Sequence, residues 1–216
     1  MPVKKYYFKR QEPWRIIKGV KASQKKAIFI HVPKCGGMSM EHVCNNNNIN
    51  IDPINMTPEW LKANQNYKNI ESEDFEYSFS FVRNPFCRIV SAWKTWWVSQ
   101  YEFDEFSKFV KDFCIKPSNY DFFRWSHVMS TFDPRMKLFN DQGDQLVNFI
   151  GKMESYQSDF NTVCEKIGIR KRQLPHENKS KHKHYTEYYD KETKQIVEER
   201  YQKDIEYFGY EFGENP

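Results

Sequence analysis

The chain predicts an α/β fold in which a parallel β-sheet is flanked by helices. Two short apolar runs, 27–32 and 77–82, read as buried strands, and each leads through turn residues into a helix-forming stretch. Two long segments near the C-terminus carry apolar residues at steps of three and four, the period of amphipathic helices. Strands that alternate with helices favour parallel pairing over a hairpin sheet. The 216 residues fit one domain with a sizeable core, and no internal repeat interrupts them.

Taken in order, residues 1–24 read as a loose leader and 25–216 as the domain. The first strand, 27–32, passes into a helix that starts at Ser39, runs to about residue 44 and decays into four asparagines at 45–48. Thr57 suits an N-cap, with Pro58 at the first position of a short helix. After the second strand, Asn84 is a good N-cap and Pro85 suits the first turn of a tryptophan-rich amphipathic helix over 85–101. Residues 104–113 read as helical and 116–147 as irregular. A helix over 151–167 places Met153, Tyr156, Phe160, Val163 and Ile167 on one face, and Gly168 stops it. Residues 170–185 are basic and contain histidine. The last helix, 190–208, aligns Val197, Tyr201, Ile205 and Phe208 before Gly209.

Composition narrows the function classes. Eighteen Phe, thirteen Tyr and six Trp supply core, and some of them suit a sugar or adenine pocket. A net charge of +4 leans toward an anionic ligand or substrate. The five cysteines are scattered, with no C-x-x-C pair and no zinc spacing, which suits reduced thiols. No signal peptide is visible, and no run approaches the ~20 apolar residues of a membrane span.

The chemistry concentrates at the strand ends. Residues 32–39, VPKCGGMS, follow the first strand. Gly36 and Gly37 let the backbone approach an anion, and the next helix aims its N–H groups and positive dipole end at it. Lys34 adds a full charge and Ser39 a hydroxyl. The lysine precedes the glycines, so this is not the G-x-x-x-x-G-K-[ST] loop, and G-x-G-x-x-G is absent. A Cys-x5-Arg phosphatase loop also fails, because Glu41 stands where arginine is needed after Cys35. The alternative is a tight turn carrying a solvated lysine. Arg83, at the second strand end, offers a second anion site, with Ser91 about two turns along the helix at ~3.6 residues per turn. Alternatively, Arg83 pairs with a carboxylate and Ser91 is a neutral surface residue.

With these two motifs, 32–39 and 81–93, the chain resembles the carbohydrate sulfotransferases that use 3′-phosphoadenosine 5′-phosphosulfate (PAPS), the heparan and chondroitin type often called sulfotransferase family 2. The stretches 148–160 and 204–210 are also similar, so the resemblance covers roughly residues 27–212. It implies the P-loop-like sulfotransferase fold, PAPS as donor and PAP as product. Lys34, Cys35, Gly36, Gly37, Met38 and Ser39 would form the 5′-phosphosulfate loop, with Lys34 neutralising charge on the leaving phosphate. Met38 stands where the family usually has threonine. Arg83 and Ser91 would hold the 3′-phosphate. Lys179 and Ser180 would touch phosphate or ribose from a closing loop, or else belong, like Lys181 and Lys183, to a solvated charge run.

The resemblance places the general base at a histidine where this chain has Asn55, which leaves His127, His42, Glu41 or no side-chain base at all. His31 reads as structural, and His182 and His184 as surface residues; no metal is expected. The expected function is sulfuryl transfer to a carbohydrate hydroxyl, with a glycan as partner and nucleic acid not expected. The alternatives are a non-catalytic binder of polyanions or glycans, and a nucleotide kinase-like P-loop protein. A full-length chain would be cytoplasmic; a catalytic domain excised from a longer protein would belong in the Golgi lumen.

Overall fold

Ala27, Ile28, Phe29 and Ile30 are all buried, as an unbroken apolar run in a parallel sheet requires. They form strand β1 (Ala27–His31) near the middle of a four-stranded parallel sheet in a computed structural model that describes residues 27–46, 51–55, 76–95, 103–114, 122–136, 138–175 and 183–214. Helix α1 (Gly37–Asn46) follows. It then leads to β2 (Ile51–Asn55), which pairs with β1 with Ile30 opposite Ile54 and His31 opposite Asn55. β3 (Tyr77–Val82) lies on the other side of β1, with Phe29 opposite Phe79. It is followed by α2 (Pro85–Trp93), α3 (Phe106–Lys108), which passes into a π-helix at Phe109–Cys114, and α4 (Phe122–Ser126). β4 (Phe149–Lys152) pairs with β3, and α5 (Tyr156–Ile167), α6 (Lys191–Arg200) and α7 (Gln202–Phe208) complete the order.

The sheet order is β2-β1-β3-β4. The chain leaves β1 for β2 on one side and β3 for β4 on the other. The carboxyl ends of β1 and β3 therefore flank a topological switch point, the crevice where open α/β sheets bind ligands. Two apolar clusters hold the layers. One joins the sheet to Met40 and Val43 of α1 and to Phe160, Val163 and Ile167 of α5. The other joins Phe86, Ile89 and Val90 of α2 to Phe109, Val110 and Phe113 and to Val197 of α6. Among the described residues no helix is long and apolar enough to cross a membrane.

Several elements differ from their sequence expectation. α1 starts at Gly37, two residues before Ser39. β2 contains Asp52 and Pro53, residues depleted in strands, and they are tolerated because β2 is an edge strand of the sheet, paired with β1 alone among the described residues. Gly151 lies in β4 rather than opening a helix, and the long helix begins only at Tyr156, after a 3₁₀ turn at Met153–Ser155. A Cβ on Gly151 would sit 2.4 Å from the Phe81 ring, so the ring occupies the space a side chain would take. α2 ends at Trp93, with Lys94 as its C-cap, short of residue 101. The 116–147 stretch, read as irregular, includes α4 and a 3₁₀ turn at Pro134–Met136. The helix expected over 190–208 is two helices. Tyr201 breaks it at φ −109° and ψ 23°, with its ring buried and its hydroxyl donating to the Val128 carbonyl. Gly168 and Gly209 do end their helices in the left-handed conformation. The leader 1–24, Thr57, Pro58, Lys179, Ser180, Lys181 and His182 lie outside the described residues.

Candidate functional site

The loop after β1 alternates in hand. Lys34 has φ +67° and Gly36 φ +79°, while Cys35 between them stays on the negative side. Such alternation folds successive N–H groups into a concave nest suited to an anion. The Cys35 N–H closes the turn on the Val32 carbonyl at 3.2 Å. Ser39 and Met40 both donate to the Gly36 carbonyl, at 3.0 and 3.2 Å, which leaves Gly37 and Met38 with the first N–H groups of α1 and no intrahelical backbone acceptor.

Both glycines are required by what surrounds them. A Cβ on Gly36 would meet Met153 Sδ at 2.6 Å and the Tyr156 ring at 2.7 Å. The Tyr156 hydroxyl donates to the Gly36 carbonyl at 2.8 Å, fixing the loop from the side of α5. A Cβ on Gly37 would fall 1.9 Å from His31 Nε2. His31 is thus the floor of the loop, stacked on Phe29. Burial, then Lys34 and Arg88, push its pKa down to about 4, so it stays neutral. Ser39 is buried in the first turn of α1, and Met38 is exposed.

Arg83 follows β3 directly, beside the Lys34 loop, because β1 and β3 are parallel neighbours. Asn84 caps α2 by accepting the Phe86 N–H at 3.1 Å, and Pro85 fills the first helical position. Arg83 lies close enough to Cys87 to hold down the thiol pKa that burial raises, and it forms no ion pair with a carboxylate among the described residues. From the other loop, Lys34 Nζ donates to Thr95 Oγ1 at 2.7 Å, and that hydroxyl donates to the Ser91 carbonyl at 2.9 Å. The structure therefore brings Lys34, Gly36, Gly37, Ser39, Arg83 and the Ser91 turn to one edge of the sheet.

The electrostatics are those of a site short of negative charge. Burial, and then the Arg83 charge, push the Lys34 pKa down to about 8. Arg88 adds a third cation from behind: it is buried, and its guanidinium donates to the carbonyls of Pro33 at 3.0 Å, Met129 at 2.6 Å and Ser126 at 3.4 Å. Three carbonyls satisfy its donors without cancelling its charge. Cys35 is a buried thiol pushed up to about 11 by that burial, which removes it as a thiolate nucleophile at neutral pH.

His127 is buried in the turn whose neighbouring carbonyls, Ser126 and Met129, accept from Arg88, with its Nδ1 3.4 Å from Ser126 Oγ. That turn lies behind the Lys34 loop. His42 is exposed on α1. Asn55 ends β2 opposite His31, at the same carboxyl edge of the sheet. Sequence reading missed Thr95, Arg88 and Tyr156 as parts of this site. Arg88 alone left a signal, as an arginine inside an apolar helical stretch. Among the described residues no cluster of His, Cys, Asp and Glu has the makings of a metal site.

A family model described as the sulfotransferase family matches residues 20–211. No curated protein and no solved structure matches the chain.

Proposed function

The chain belongs to the sulfotransferase family, and on that footing we propose that it moves a sulfuryl group from PAPS to a carbohydrate hydroxyl, using a P-loop-like variant of the α/β fold. The observation that carries the reading is the pair Lys34 and Arg83. Two cations from separate loops meet at the switch point, close enough for Arg83 to depress Lys34, and no carboxylate neutralises Arg83 among the described residues. A nucleotide with phosphates at both ends supplies the missing charge. The residues fit such a ligand, since the Gly37 and Met38 N–H groups at the start of α1 have no intrahelical backbone acceptor and stand beside the Lys34 charge.

The donor brings a sulfuryl group whose transfer leaves negative charge on a phosphate oxygen. Lys34 meets that charge, a preorganised electrostatic role. The N–H groups of Gly37 and Met38 and the Ser39 hydroxyl bind the 5′-phosphate at the helix N-terminus. Arg83 and Ser91 bind the 3′-phosphate. Thr95 holds the Lys34 amine at a defined place. His127 is the choice for general base over His42, because it is buried in the turn that Arg88 ties to the Pro33 carbonyl, whereas His42 is exposed on α1. The carbohydrate acceptor rests on the resemblance of the two loop motifs to carbohydrate sulfotransferases. A panel of glycans with isotopically labelled PAPS, read by mass spectrometry, tests the whole reading. Label on no glycan, with the donor bound, would return the chain to a non-catalytic binder.

Two binding experiments check the nucleotide site. Arg83→Ala should weaken adenosine 3′,5′-bisphosphate by about 10- to 100-fold, the ~1.5–3 kcal/mol of a hydrogen bond to a charged group, and should change AMP affinity little. Calorimetry in EDTA measures both; a requirement for Mg²⁺ would favour the kinase-like reading. Lys34 adds a pH dependence. Its charged form meets the 5′-phosphate oxygen that carries full charge in the bisphosphate but not in the donor, so bisphosphate affinity should be full well below pH 8 and should fall as pH rises through the depressed pKa of about 8. Binding at pH 8.5 should take up protons, visible as a heat that varies with the ionisation enthalpy of the buffer. Affinity that is flat from pH 7 to 9.5 would remove Lys34 from the phosphate contacts.

A further inference from the structure

Asn84 is tied down by more than its role as a helix cap. It is 1% exposed. Its backbone N–H donates to Glu154 Oε1 at 2.8 Å. Its side-chain amide donates to the Glu211 carbonyl at 2.9 Å and to Glu214 Oε2 at 3.1 Å. The second Glu154 oxygen accepts from the Tyr210 hydroxyl at 3.4 Å. The C-terminal segment is anchored in turn, with Phe212 packed edge-on against Phe86 at 5.0 Å and the Gly213 N–H donating to the Tyr185 hydroxyl at 2.7 Å.

A carboxylate next to an anion site ought to quench its arginine. Burial first, and then the nearby Glu154 charge, push the Cys87 thiol up while Arg83 holds it down, so the acid and the arginine share one neighbourhood. Its oxygens are instead directed to the Asn84 amide and to Tyr210, and it makes no ion pair with Arg83 among the described residues. The acid holds the residue after the arginine and leaves the guanidinium for a ligand.

The geometry points to Glu154 as a positioning residue: with Tyr210 and the C-terminal segment it clasps Asn84, and so sets Arg83 in the orientation that distinguishes a 3′-phosphorylated nucleotide from one without that phosphate. This inference rests on the proposed function. Glutamine at 154 keeps an oxygen for the Asn84 N–H, whereas alanine removes it, so the two substitutions separate the contact from the charge.

The experiment compares the unaltered protein, Glu154→Ala and Glu154→Gln by two measurements. Amide hydrogen exchange reads the clasp itself: exchange at Asn84 and Phe86 should quicken in Glu154→Ala and stay near the unaltered rate in Glu154→Gln. Calorimetry reads its consequence. Glu154→Ala should weaken adenosine 3′,5′-bisphosphate about tenfold, the scale of one hydrogen bond to a charged group, with AMP affinity within about twofold. Glu154→Gln should recover most of the loss. Equal weakening of both nucleotides, a glutamine variant no better than alanine, or unchanged exchange at Asn84 overturns the clasp. A preference for the bisphosphate that survives Glu154→Ala overturns it alone. Equal affinity of the unaltered protein for the two nucleotides overturns the 3′-phosphate site of the proposed function, and the inference with it.

Discussion

Lys34→Ala should lower turnover by about 10²- to 10³-fold, the usual loss when one preorganised donor to developing charge is removed. The effect should appear in kcat far more than in donor affinity. The phosphates of the ground state keep the loop N–H groups and Arg83, whereas the charge that develops on the leaving oxygen is met by Lys34 alone in the proposed mechanism. The lysine is suited to that task because it is already half-stripped of water: burial and Arg83 hold its pKa near 8, and a cation in a poorly solvated site interacts more strongly with new negative charge. Its backbone is a further constraint. At φ +67° a side chain strains the chain, so Lys34→Gly should be more stable than Lys34→Ala, by about 1 kcal/mol, and equally inactive. Steady-state kinetics with thermal unfolding of both variants provides the check. A rise in the donor KM with kcat unchanged would make Lys34 a binding residue and end the leaving-group role.

His127→Asn should cost about 10²- to 10⁴-fold in rate, the share that acid–base catalysis ordinarily supplies. It should leave bisphosphate binding nearly unchanged, because His127 lies outside both phosphate motifs. The acceptor hydroxyl must lose its proton, and an imidazole takes it only when neutral. His42→Ala serves as the comparison, with near-normal rates expected from an exposed side chain on the outer surface of α1. If both variants turn over normally, neither histidine is the base, and Glu41→Gln becomes the next measurement. His127 is buried against the turn that Arg88 holds, so the melting temperature of His127→Asn must accompany its rate.

The two loops were legible in the chain because each is assembled from consecutive residues. Lys34, Gly36 and Gly37 after an apolar run, and Arg83, Asn84 and Pro85 after another, carry their conformational preferences locally. A cap, a proline at the first helical turn and a glycine at positive φ need no distant partner. The same holds for Gly168 and Gly209 at their helix ends. From these alone came the strand–turn–helix units, the parallel sheet and the family resemblance.

What the chain could not display is what its distant parts do to one another. Gly151 reads as the start of a helix until the Phe81 ring takes the place of its side chain, and Tyr201 continues an apolar face until its hydroxyl reaches the Val128 carbonyl. β2 was hidden because Asp52 and Pro53 oppose strand formation locally, and only pairing along β1 overcomes that. Arg88 beneath Pro33, Thr95 on Lys34, Tyr156 on Gly36 and Glu154 on Asn84 join residues 55 to 120 positions apart. Sequence thus determined which groups carry charge and where the backbone can turn. The tertiary structure decided their surroundings. It set Arg83 beside Lys34 in a poorly solvated edge and lowered the lysine's pKa, because desolvation and charge repulsion depend on distances in space that spacing along the chain does not encode.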